Sequence, residues 1–147
     1  MDDENAGALV HYTENGFFIG ITPSGHALAI ETDGERGVAP TPMELLLVAL
    51  GSCTAVDVIG ILRKKREHVT DYRVEVKGER REEYPRSYKR LQVHHVIKGH
   101  NISPQAVAQA IELSETKYCS VAATLRPTAE ILSTFETIED ESGIVKA

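Results

Sequence analysis

The run from Met43 to Leu62 carries only two charged residues, Glu44 and Asp57, and is the most apolar stretch of the chain. It opens on Thr41-Pro42-Met43-Glu44, a helix-start signature. Thr41 fits the N-cap, Pro42 fits the first helical position, and Glu44 completes a capping box. Leu45 to Leu50 is apolar nearly all round, as in a helix buried on most sides. Any fold for this chain must therefore surround that helix with other elements. Gly51-Ser52 reads as a break, with Ser52 capping a second helix from Cys53 to about Glu67. A membrane span is not expected. The longest uncharged segment, Leu45 to Val56, is shorter than the roughly 20 residues a bilayer requires.

The remaining patterns are mostly those of strands. Leu9–Thr13 and Phe17–Thr22 flank Glu14-Asn15-Gly16, and Asn-Gly is a strong hairpin signal. Ala27–Glu31 reads as a third strand, followed by the loop Asp33–Gly37. Tyr72–Lys77 alternates apolar and polar, the period of a half-buried strand, and Leu91–Ile97 reads as its partner. The charged segment Gly78–Arg90 between them reads as a loop or an irregular strand end. Ser103-Pro104 starts another helix, whose face carries Val107, Ala110, Ile111 and Ser114 and which ends near Lys117. A short helical turn, Ser120–Leu125, and a last strand, Ala129–Ile138, complete the order. Hairpins outnumber crossovers, so the expectation is an α+β fold with antiparallel sheets, one domain over residues 1–147. Such short sheets close poorly over so apolar a helix. An intertwined homodimer would bury it.

Charge and cysteine use narrow the function. The net charge of −6 and the lack of a long basic tract argue against nucleic-acid binding. The short run Arg63-Lys64-Lys65-Arg66 suits a helix C-terminus, where it complements the macrodipole. The acidic N-terminus has no signal-peptide pattern, so a cytoplasmic location is expected. No CxxC pair, zinc-spaced Cys/His cluster, P-loop or dinucleotide fingerprint occurs, and neither a metal nor an organic cofactor is expected. His94 and His95 are adjacent on a strand and should point to opposite faces.

The two cysteines, Cys53 and Cys119, carry the chemical interest. With Ser52 as a cap, Cys53 would lie in a first helical turn, where the dipole and free N–H groups favour the thiolate. Asp57 follows one helical turn later on the same face. A bare carboxylate there would raise the thiol pKa unless an arginine bridged the two; Arg36 and Arg126 are the candidates. Glu44 has a capping role beside any catalytic one. The alternative for both cysteines is that they are small buried hydrophobes.

Pro42-Met43-Glu44-Leu45-Leu46 with Gly51-Ser52-Cys53-Thr54 resembles the first cysteine motif of the OsmC/Ohr family, and Tyr118-Cys119-Ser120-Val121 resembles its second. Tyr84-Pro85-Arg86 and Gly99-His100-Asn101-Ile102 are similar to the segment between them, and the Gly-Ser-Cys variant resembles the OsmC-like branch. The resemblance implies an OsmC-like fold of two intertwined subunits with the cysteine-bearing helices central. It also implies a thiol peroxidase acting on organic hydroperoxides. Cys53 would be oxidised to a sulfenic acid, Cys119 would condense with it to a disulfide, and a dithiol reductant would restore both. In the family's peroxidases a glutamate directly follows the proline and holds a catalytic arginine. Here Met43 stands in that place and Glu44 comes one step later, rotated by about 100°. Asp57 could supply the missing carboxylate and Arg36 the arginine. A non-catalytic protein binding a small hydrophobic ligand, or a scaffold with inert thiols, is the alternative.

Overall fold

The computed structural model describes residues 7–32 and 37–142 and divides into two compact units, Met1–Leu46 and Leu47–Ala147. The first unit holds an antiparallel meander of β1 (Leu9–Glu14), β2 (Phe17–Ile21) and β3 (Ala27–Glu31), paired in that order. Asn15 (φ 46°) and Gly16 (φ 72°) form the tight turn between β1 and β2. Positive φ at both central positions matches the right-handed twist of the strands, which is why Asn-Gly serves there. All six residues of β1 are exposed.

The helix α1 (Pro42–Lys64) begins in the first unit and runs on into the second. Its capping box forms as expected. The Thr41 N–H donates to Glu44 Oε1 at 2.9 Å, and the Glu44 N–H to Thr41 Oγ1 at 3.3 Å. The expected break at Gly51-Ser52 is absent, and α1 is continuous through it. Ser52 does not cap a new helix, because its hydroxyl donates back to the carbonyls of Val48 (2.8 Å) and Ala49 (3.2 Å). Gly51 serves close packing: a Cβ there would come within 3.0 Å of Val76 Cγ2.

The second unit adds β4 (His68–Arg80), β5 (Tyr88–His100), α2 (Pro104–Leu113), a π turn (Ser114–Tyr118), α3 (Ser120–Leu125) and β6 (Glu130–Glu139). Its sheet has the order β4-β5-β6. β4 and β5 form the expected antiparallel hairpin, longer than the sequence pattern indicated, so that both ends of the segment Gly78–Arg90 are paired strand. The pairing of β5 with β6 is parallel, which corrects the antiparallel expectation. Between them the chain crosses over through α2, the π turn and α3, as a parallel connection requires.

The core of this unit joins Val58 and Leu62 of α1 to Ile97 of β5, Ile102, and Val107, Ala110 and Ile111 of α2. By length and a mean hydropathy of 2.3, α1 is apolar enough to cross a membrane. Its Leu50, Val58 and Leu62 are nevertheless packed inside protein, at 1%, 0% and 0% exposure. The opposite side is bare, with Val48 and Val56 exposed.

Beside this core lies a buried polar pair. His95 on β5 has no exposed surface, and its Nδ1 is 2.7 Å from the Tyr72 hydroxyl on β4. Its neighbour His94 faces the other way, bonded to Thr134 Oγ1 and Glu136 Oε1, so the two point apart as expected. Among the described residues, His95 Nε2 has no hydrogen-bond partner. Burial, helped by the charge on His94, pushes the His95 imidazole from 6.5 down to about 4. Between those values the unfolded chain holds a proton that the folded chain refuses. Stability should therefore be full above about pH 6.5 and fall as the pH drops toward 4, by about 3 kcal/mol in all. Urea midpoints measured between pH 7.5 and 4.5 should fall by this route, and His95→Gln should flatten the slope. An unchanged slope in that variant would assign the acid sensitivity to other groups.

Candidate active site at the two thiols

Because α1 is unbroken, Cys53 is a mid-helix residue with no helix N-terminus to favour its thiolate. It is partly exposed. The helix-start environment expected for Cys53 belongs instead to Cys119, which is the N-cap of α3 (φ −76°, ψ 100°). Its Sγ accepts the Ala122 N–H at 3.3 Å. Cys119 is buried, at 4% exposure, and both cysteines are free thiols.

The fold brings the two thiols together. Cys53 lies close enough to Cys119 to act on that thiol, although 65 residues of chain separate them. Burial pushes the Cys119 thiol from 9.0 up to about 11, against the Ala122 N–H, which favours the thiolate. The neighbouring Cys53 pushes in the same direction as burial, so it too favours protonated Cys119. The nearby negative charge of Asp57 adds to this. The pair is thus asymmetric: a buried thiol that keeps its proton faces a partly exposed one.

Asp57 is placed within the same cluster. The Ser114 hydroxyl donates to its Oδ2 at 2.8 Å, and Thr54 Oγ1 lies 3.0 Å from Ser114 Oγ. Tyr72 is close enough for the Asp57 charge, after burial, to hold its phenol well above the usual tyrosine range. A cavity of about 220 Å³ opens beside this cluster, lined by Val56, Asp57, Gly60, Ile61, Lys64 and Tyr118. A wider groove of about 380 Å³ runs between α1 and β4, past Leu47, Val48, Ala55, Val74 and Val76, and neither thiol lines it.

Glu44 and Arg126 have partners of their own. Glu44 is engaged in the capping box, and hydrogen bonds from Thr41 hold its carboxyl below the usual range. It lies about two and a half turns of α1 before Cys53. Arg126 donates from Nη2 to the Glu115 carbonyl at 2.8 Å. Arg36 lies outside the described residues. Thr54, Ser114, Tyr72 and His95 were not anticipated as part of the site. Ser114 could have been found: it is the polar member of the otherwise apolar stripe Val107, Ala110, Ile111. Among the described residues, no three His, Cys, Asp or Glu side chains gather as metal ligands would.

The geometry can be set beside known proteins. Residues 32–133 match the family model for OsmC-like proteins. The chain is 41% identical over 132 residues to Protein YhfA of Escherichia coli K12, an alignment covering 89% of this chain and 97% of that one. It is similar to the crystal structure of a hypothetical protein from Aquifex aeolicus VF5, with a TM-score of 0.82 and 34% identity over 92% of this chain and 98% of that one. An organic hydroperoxide resistance protein from Elizabethkingia anophelis shares the fold, with a TM-score of 0.67, but only 14% identity over 90% of this chain and 96% of that one. By the family match over most of its length and by its relatives, this chain belongs to the OsmC/Ohr family of OsmC-like proteins.

Proposed function

We propose that the chain is a thiol peroxidase that reduces organic hydroperoxides to alcohols, in the peroxide defence associated with part of its family. The carrying observation is the proximity of Cys53 to Cys119, two free thiols from distant parts of the chain. The partly exposed Cys53 is the attacking group, as thiolate. It takes the distal oxygen of the peroxide, the O–O bond breaks, Cys53 becomes a sulfenic acid, and the alkoxide leaves and is protonated to the alcohol. Cys119 then attacks the sulfenic sulfur. Its thiol proton leaves with the hydroxyl group as water, and a disulfide remains. A dithiol reductant returns both thiols by exchange, which fits a reducing cytoplasm.

Asp57 has a part in this reading. Burial chiefly keeps Cys119 protonated and the Asp57 charge adds to it, so the buried thiol waits while Cys53 meets peroxide first. Any further role in holding Arg36 concerns a residue outside the described range. A homodimer is part of the same reading. It is supported by the apolar side chains left bare: Leu9, Val10 and Tyr12 on β1, and Val48 and Val56 on α1. The second reading, a protein that holds a small hydrophobic ligand without chemistry, is favoured by the apolar groove between α1 and β4.

Stopped-flow mixing with cumene hydroperoxide separates these readings. Rapid loss of both thiols per chain is expected, with a Cys53–Cys119 disulfide found by mass spectrometry. Cys53→Ser should abolish it, and Cys119→Ser should stop at a sulfenic acid that a dimedone probe traps. Slow oxidation that ignores the choice of peroxide would favour the ligand-binding reading.

For Asp57, thiolate absorbance of the Cys53→Ser variant should titrate well above 9.0, and adding Asp57→Asn should move the midpoint down. No movement would remove Asp57 from control of Cys119. Sedimentation velocity at micromolar concentration should report a dimer; a clean monomer would count against the assembly.

A further inference from the structure

The segment that delivers Cys119 is not a regular helix. After α2 the chain makes a π turn over Ser114–Tyr118, and the Cys119 N–H donates to the Ser114 carbonyl at 2.7 Å, five residues back. The apolar stripe of α2 descends through Val107, Ala110 and Ile111 to Ser114. Regular helical spacing would next bring Lys117 or Tyr118 inward. The wider turn delays the chain by one residue. Cys119 is then the buried residue, at 4% exposure, and Tyr118 stays half exposed at 50%. Single π turns of this kind are frequent at functional sites.

Ser114 ties that turn to α1. It has no exposed surface, and its hydroxyl has two partners on α1: it donates to Asp57 Oδ2 at 2.8 Å and lies 3.0 Å from Thr54 Oγ1. Thr54 follows Cys53 directly, and Asp57 is one turn further on. One residue thus grips α1 just after Cys53 through its side chain and holds Cys119 through its carbonyl. Resting on the reading of Cys53 and Cys119 as a redox pair, we propose that Ser114 is the positioning residue that fixes Cys119 against Cys53, and that its hydroxyl tunes how readily the pair closes.

Two thiols held in contact have a high effective concentration for each other, and the disulfide is stabilised in proportion. Loss of the anchor frees the dithiol form more than the cross-linked form. The equilibrium with reduced and oxidised dithiothreitol reads this directly and needs no peroxide: protein dithiol plus oxidised dithiothreitol gives protein disulfide plus reduced dithiothreitol.

Ser114→Ala removes both side-chain bonds and should lower that equilibrium constant by about tenfold, an increase of about 30 mV in reduction potential. Thr54→Val removes one bond at nearly constant volume and should shift it in the same direction by less. It serves as the readout should Ser114→Ala fail to fold. If the folded variants titrate with the wild-type potential, Ser114 is only a packing residue. If the wild type itself forms no Cys53–Cys119 disulfide in these buffers, the redox-pair reading falls, and this role for Ser114 with it. If the shifts appear but the wild type is inert to hydroperoxide, the positioning role stands and the peroxidase reading is what fails.

Discussion

The second unit is organised by the packing of one side of α1, where Leu50, Gly51, Thr54, Val58 and Leu62 are buried. Val58 and Leu62 join the cluster with Ile97 and the α2 residues, and Gly51 admits Val76 of β4 at close range. Burial on this scale is worth roughly 1.5–3 kcal/mol for each large aliphatic side chain. That stabilisation is enough to carry a mid-helix glycine, which costs about 1 kcal/mol against alanine in an exposed helix. The small residue is what allows the helix to lie close to the strand. The position of the partly buried Cys53 follows from this packing, because its helix has no freedom to rotate without exposing Leu50 or Val58.

The second thiol arrives by a different route, and the contrast explains the asymmetry of the pair. Cys119 sits where a helix begins and accepts a backbone N–H, an arrangement that by itself favours a thiolate. Burial, the Cys53 contact and the Asp57 charge all act in the opposite sense, and together they win. The usual rule that a cysteine at a helix N-terminus is activated fails here, because the same turn that supplies the N–H also removes the sulfur from water.

Much of this was readable in the residues. Thr41-Pro42-Met43-Glu44 announced a cap that forms as drawn, and Asn15-Gly16 a hairpin turn. Both are local chemistry, decided by groups a few residues apart. The errors came where a tertiary neighbour decides. Gly51-Ser52 has the composition of a break, but only the approach of β4 explains the glycine, and only the helical carbonyls of Val48 and Ala49 explain the serine. The strand β6 was expected, but its parallel pairing was not, because its partner lies a whole crossover away. In the site, Cys53 and Cys119 could be named from their motifs, but their contact could not. Ser114 and Tyr72 were hidden because each looks like an ordinary member of its helix or strand, and only a partner on α1 or β5 gives it a role.

The distance along the chain between the thiols has a consequence for mechanics as well as chemistry. A bond between Cys53 and Cys119 would enclose β4, β5 and α2 in a covalent ring. In the chain-entropy model a ring of this size makes the unfolded state less favourable by about 4 kcal/mol. Each turnover of such a pair would then alternate the protein between a tethered and an untethered chain, and the tethered form would be the harder one to unfold. A molecule waiting for its reductant would be at its most durable when its surroundings are most oxidising.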